Sequence, residues 1–125
     1  MRRVVGGTRG AGTLGDVIRQ LRIYELFAPT RDAFHERFRD HAARLMASHG
    51  FQIAAAWEAT SDDGGLAFAY VLEWPDEATM RERGAAFLAD EEWAAIKRDT
   101  AARHGPMVGA IEDRVLVPVG YLPDW

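Results

Sequence analysis

Two alternating segments joined by a turn cluster constrain this chain more than any other feature. Phe51, Ile53, Ala55, Trp57 and Ala59 alternate with Gln52, Ala54, Ala56 and Glu58, and Leu66, Phe68, Tyr70, Leu72 and Trp74 recur at the same spacing. Side chains alternate across a strand, so each run predicts a strand with one apolar face. Between them lies Ser61-Asp62-Asp63-Gly64-Gly65, a set of residues that favours tight turns. The pair predicts a hairpin of strands 51–60 and 66–74, and the rest of the chain must cover its apolar side.

The flanks supply the cover. Residues 20–27 read as a strand with Leu21, Ile23 and Phe27 on one face, Glu25 interrupting it, and Tyr24 and Leu26 on the other. Ala28-Pro29 ends that strand. Thr30 is the expected N-cap of a helix over 31–48, with Gly50 as its stop. Phe34, Phe38, Leu45 and Met46 recur on it at helical spacing. Pro75-Asp76 opens a second helix running to about Leu88, and Asp90-Glu91-Glu92-Trp93 opens a third that ends at His104-Gly105-Pro106. The last strand falls within 108–119, with Val115 and Val117 on one face.

The order β-α-β-β-α-(α)-β is that of the ferredoxin-like α+β fold, a four-stranded antiparallel sheet with helices on one face. The other face also carries apolar side chains, and a second copy of the chain is expected to cover it, pairing two sheets into a dimeric α/β barrel. Residues 1–19, rich in glycine, read as an N-terminal extension, and 20–125 as one domain. The segment Gly10-Ala11-Gly12-Thr13-Leu14-Gly15 fits G-x-G-x-x-G only formally, because no adequate strand precedes it and no helix follows.

Several function classes fall away. The absence of cysteine excludes disulfides, thiolate catalysis and cysteine-bound metal. The net charge is −4 and the arginines alternate with acids, so no basic face invites nucleic acid. No apolar run is long enough for a membrane span, and no signal peptide is evident; the expectation is a cytoplasmic protein. His35-Glu36 begins like a zinc motif, but Arg39 stands where its second histidine belongs, so no metal site is expected.

Of the four histidines, His41 is the main candidate. At about 100° per residue it lies within the Phe34/Phe38/Leu45 stripe, aimed at the interior. There it is either a buried histidine satisfied by a hydrogen bond or a general acid or base. His49 and His104 sit at helix ends and complement helix dipoles, and His35 reads as an exposed flank residue. Glu25, on an apolar strand face, is a second candidate acid or base, or else a rim charge paired with an arginine. The aromatic set Tyr24, Phe38, Trp57, Phe68, Tyr70, Trp74 and Trp93, with Ala54, Ala55 and Ala56 beside it, has the composition of either a core or a pocket for an apolar ligand.

From Arg22 onward the chain resembles the NIPSNAP family of the dimeric α/β-barrel superfamily. The resemblance rests on Ile23-Tyr24-Glu25-Leu26, on the helix with His41 that closes in His49-Gly50-Phe51, on Trp57, and on Leu88-Ala89-Asp90-Glu91-Glu92-Trp93. The family's first strand usually continues with an arginine and a tyrosine, where this chain has Phe27 and Pro29. The resemblance implies the barrel fold and a homodimer. Related barrels include cofactor-free monooxygenases, cyclases, isomerases and haem-handling proteins. The resulting expectation is a cofactor-independent enzyme for a small apolar or aromatic molecule. His41, Glu25 and Tyr24 would move protons, and Phe38, Trp57, Tyr70 and Trp93 would shape the pocket. A non-catalytic binding or scaffold dimer and a haem-binding barrel are the alternatives.

Overall fold

The hairpin forms with one irregularity that redirects half of its first strand. In a computed structural model that describes residues 17–123, four strands run β1 (Ile18–Leu26), β2 (Gln52–Thr60), β3 (Leu66–Trp74) and β4 (Val108–Leu116). They form one antiparallel sheet in the order β2-β3-β1-β4. Helices α1 (Arg31–Arg37), α2 (Ala43–Ser48), α3 (Glu77–Leu88) and α4 (Glu91–His104) complete the ferredoxin-like α+β fold. β1 begins at Ile18, so Ile18 and Arg19, which the sequence reading assigned to the extension, belong to the sheet. The G-x-G-x-x-G segment lies outside the described residues.

Cross-strand partners share a face. Leu66, Phe68, Tyr70, Leu72 and Trp74 of β3 and Tyr24, Arg22 and Gln20 of β1 therefore look towards the helices. In β2 the register shifts between Ile53, opposite Leu72, and Ala55, opposite Val71. Ala54 is the extra residue of a β-bulge, and a one-residue slip moves every later side chain to the other face. Trp57 therefore points away from the helices and is 48% exposed, which corrects the single face expected for Phe51 to Ala59.

A second bulge lies where β4 leaves β1. Tyr24 pairs with Ile111 but Leu26 with Val108, so Gly109 and Ala110 oppose Glu25 alone. The Glu25 carboxylate accepts the Ala110 N–H at 3.0 Å. A Cβ on Gly109 would lie against that carboxylate and the Phe27 ring.

The core lies between the sheet and the helices, with Trp74, Tyr70, Phe34 and Leu72 fully buried. Asp76 and Asp90 cap α3 and α4, accepting from the N–H groups of Thr79 and Trp93. Gly50, at φ 86°, ends α2 with the Phe51 and Gly50 N–H groups donating to Met46 and Ala47 carbonyls. Those are the two bonds of a Schellman stop. Thr30 does not cap α1; its hydroxyl donates to the Pro106 carbonyl instead.

The entry of α1 is held by charge. Beyond the bulge, Glu58 lies on the helix side, where it accepts two bonds from Arg31 and one from His35 at 2.6 Å. His35 is thus an anchor between helix and sheet rather than a free flank residue. Bonds from Arg31 and then His35 lower the Glu58 pKa from 4.5 to about 2. The folded value is depressed, so this contribution to stability is complete above the unfolded value and is lost as pH falls through the folded one. We expect Glu58→Gln to melt below the wild type at pH 7, and the gap to close between pH 4.5 and about 2. Melting temperatures of both proteins across that range test this, and a gap that persists unchanged at the acid end would rule out the ion pairs as its source.

Candidate active site

The first helix is not one regular helix, and that decides which residues face the interior. Between α1 and α2 the chain makes a π-helical turn, Phe38–Ala42. A π turn inserts an extra residue into the helical period. Beyond it the interior stripe is carried by Ala42, Leu45 and Met46, all buried. Ala42 takes the interior place that a uniform period assigns to His41. His41 is left half-buried, with its Nδ1 shielded from solvent and without a hydrogen-bond partner.

Ala42 borders a cavity of about 260 Å³ between sheet and helices. An engineered apolar cavity of about 150 Å³ accepts benzene, so this space suits a ligand of one or two rings. Tyr24 and Tyr70 line it from the sheet, Phe34 and Phe38 from the first helix, and Phe87 and Trp93 from α3 and α4. Gly84 of α3 also lines it, and a Cβ there would meet nothing within 4 Å. Glycine inside a helix costs about 1 kcal/mol relative to alanine; here it keeps the wall thin.

Polar chemistry in the cavity is concentrated on the sheet. The hydroxyls of Tyr24 and Tyr70 lie 2.6 Å apart. Tyr70 is fully buried, and burial, reinforced by Tyr24, pushes its phenol far above the ordinary value. It therefore stays protonated. Arg22 lies over the Tyr24 ring at 5.5 Å and donates to Asp113 at 3.0 Å. Burial disfavours its charge, but Tyr24, Tyr70 and Asp113 together outweigh that and raise its pKa. On the helix side Arg37 and Lys97 both approach the Trp93 ring.

The structure thus brings together Tyr24, Tyr70, Phe38 and Trp93 of the residues singled out in the sequence. It leaves out three. His41 is displaced by the π turn, and Trp57 is turned to the opposite face by the bulge at Ala54. Glu25 is spent on the backbone of the β4 bulge. His49, expected only to complement a helix end, instead bonds Asp90 at 2.7 Å and ties α2 to the start of α4; that bond, with the Trp93 N–H, lowers the Asp90 pKa. Phe68 and Trp74 are core. Sequence reasoning missed Arg22, Arg37 and Lys97 as cavity residues. Signals for two of them exist: Arg22 shares its strand face with Tyr24, and Lys97 is the only lysine in the chain.

Among the described residues no group of histidines and carboxylates is placed to hold a metal ion, and no helix is long and apolar enough to cross a membrane.

The family model described as NIPSNAP matches residues 19–123. The fold is similar to that of a NIPSNAP-like domain protein from Burkholderia xenovorans, at 19% identity over 87% of this chain and 90% of that one, TM-score 0.66. It is similar also to a NIPSNAP family protein of unknown function from Agrobacterium tumefaciens, at 16% identity over 86% and 93%, TM-score 0.68. A third similar structure is a Streptomyces coelicolor monooxygenase in complex with nanaomycin D, at 15% identity over 88% and 94%, TM-score 0.54. At these identities the likeness is one of fold. No curated protein sequence matches the chain.

Proposed function

The chain belongs to the NIPSNAP family, and from that membership and its cavity we propose that it is a cofactor-independent enzyme acting on a small apolar or aromatic molecule. The observation that carries this reading is the Tyr24–Tyr70 hydroxyl pair inside an aromatic cavity, with Arg22 beside it. Either hydroxyl of the pair can be the donor; with Tyr70, the fully buried one, as donor, its hydrogen goes to the Tyr24 oxygen. The Tyr24 hydrogen is then free to bond a substrate oxygen. Cyclisation, isomerisation, dehydration and oxygenation of a carbonyl or phenol all build negative charge on such an oxygen. Tyr24 stabilises it by donating a hydrogen bond or proton, Arg22 by its field, and the apolar walls by excluding water.

Native mass spectrometry of the purified protein would identify a bound small molecule as the starting substrate. Tyr24→Phe is expected to lower its turnover about 10²-fold, with a smaller loss in Tyr70→Phe, which leaves the Tyr24 hydroxyl in place. Wild-type turnover in Tyr24→Phe would end the proton-transfer role.

A second reading, a non-catalytic ligand-binding module, is favoured by one feature: among the described residues no histidine or carboxylate lines the cavity. It predicts that a bound compound is recovered unchanged after incubation with air and water. The haem reading needs a histidine at the pocket as axial ligand, and among the described residues the cavity wall carries no histidine.

The proposed partner is a second copy of the chain. On the face away from the helices, Trp57 projects 48% exposed beside Ala55, Ala59, Ala67 and Ala69. A projecting indole beside a floor of small residues is self-complementary under two-fold symmetry. Glu112 and Arg114 add both signs of charge to the same face, so a two-fold pairing can match unlike charges.

A further inference from the structure

Among the described residues three cations line the cavity, Arg22, Arg37 and Lys97, and they are not equivalent. Arg22 is paired with Asp113. Arg37 and Lys97 have no carboxylate within ion-pair distance among the described residues. Arg37 donates to the Thr100 hydroxyl at 3.0 Å and lies 5.3 Å from the centroid of the Trp93 ring. Lys97 lies 5.7 Å from the same centroid. Both side chains are half-buried, and burial lowers the pKa of Arg37. Partly desolvated cations are unfavourable unless an anion meets them. Outside the cavity, Arg31, Arg39, Arg44, Arg81 and Arg103 each have a carboxylate partner, and Arg83 and Arg98, which have none within ion-pair distance among the described residues, are exposed and kept solvated by water. Two cations without a carboxylate partner around one indole, at the wall of a largely apolar cavity, form a site that calls for an anion.

We propose that the ligand of this cavity is an aromatic carboxylic acid of one or two rings, its carboxylate held between Arg37 and Lys97 and its rings against Phe34, Phe38 and Phe87. This rests on reading the cavity as a ligand site and adds the class of ligand. The cavity's size sets the ring count, and its aromatic walls favour flat apolar surface. Arg37 supplies a planar fork that matches a carboxylate, and Lys97 a point charge. The Tyr24 hydroxyl lies across the same cavity, so the acid group serves as the handle and leaves the rings or their oxygen substituents to the tyrosine pair.

Calorimetric titration of the full chain with 2-naphthoate and with its neutral isostere 2-naphthamide tests this. The acid is expected to bind at least tenfold tighter than the amide. Lys97→Gln and Arg37→Gln should each abolish most of that preference while leaving amide binding unchanged, and Lys97→Arg should retain it. The single lysine provides a second readout. Naphthoate should protect Lys97 from an amine-reactive label at saturation, as read by peptide mass, and naphthamide should protect it far less. Equal binding of acid and amide would overturn the acid assignment and leave the cavity as a ligand site. Binding of neither would overturn both. Loss of naphthamide binding along with naphthoate in the variants, with their circular dichroism unchanged, would mean that the two cations shape the cavity rather than recognise charge.

Discussion

Replacing Trp74 with alanine is expected to remove about 3–5 kcal/mol of stability and, at several degrees per kcal/mol for a domain of this size, to lower the melting temperature by roughly 10–20 °C. The indole is 1% exposed and packs edge-on against Phe51 with ring centroids 4.9 Å apart. Its Nε1 donates to the Gln20 side-chain oxygen at 2.9 Å. The Gln20 amide in turn donates to Asp113 of β4 at 3.1 Å. One side chain therefore fills the core and anchors a polar chain that runs from β3 through β1 to β4. Truncation opens a cavity and leaves the Gln20 oxygen buried without a donor. Trp74→Phe separates the two effects, because it keeps most of the volume and loses only the hydrogen bond; about 1–3 kcal/mol is expected for it. Urea unfolding of the three proteins measures both. A loss below about 1 kcal/mol in Trp74→Ala would contradict a tightly packed core at this position.

Trp57→Glu is expected to leave the fold intact and break the proposed pairing of two copies. Central interface tryptophans contribute about 2 kcal/mol or more, roughly thirtyfold in a dissociation constant, and a glutamate adds like-charge repulsion across a two-fold axis. Light scattering should give the wild type a mass twice the 13.9 kDa of the chain and the variant a mass near the single value at micromolar concentration. Because Trp57 stands on the face opposite the cavity, melting temperature extrapolated to low concentration should change little. A wild type that is monomeric at high concentration would remove the dimer. An unaffected dimer in Trp57→Glu would move the interface elsewhere.

How far the sequence carries can be read from particular residues. The strands, helices and their order follow from periodicity, because alternation and helical stripes are local properties. Asp76, Asp90 and Gly50 mark helix ends, because each meets a backbone group within a few residues. Tyr24, Phe38, Tyr70 and Trp93 were identifiable as interior aromatics, either core or pocket, because each pattern is regular up to that point. The readings of Trp57 and His41 changed through single-residue insertions, and those of Thr30, His35 and His49 through partners distant in sequence. The bulge at Ala54 sends Trp57 outward, and the π turn at Phe38–Ala42 replaces His41 with Ala42. Neither leaves a mark in composition, since alanines stand at 54, 55 and 56 in either register. Glu25 reads as a candidate acid or base, or as a rim charge paired with an arginine, because its actual partner, the Ala110 N–H, is 85 positions away.

The sequence by itself thus determined the ferredoxin-like order, the family and the inventory of side chains, because these depend on neighbours along the chain and on residue identity. The tertiary structure alone decided which of those side chains meet. Where a sheet bulges or a helix takes an extra residue is settled by the fit of whole elements against one another. That fit placed the Tyr24–Tyr70 pair, Arg37 and Lys97 around one cavity and left His41, Glu25 and Trp57 outside it.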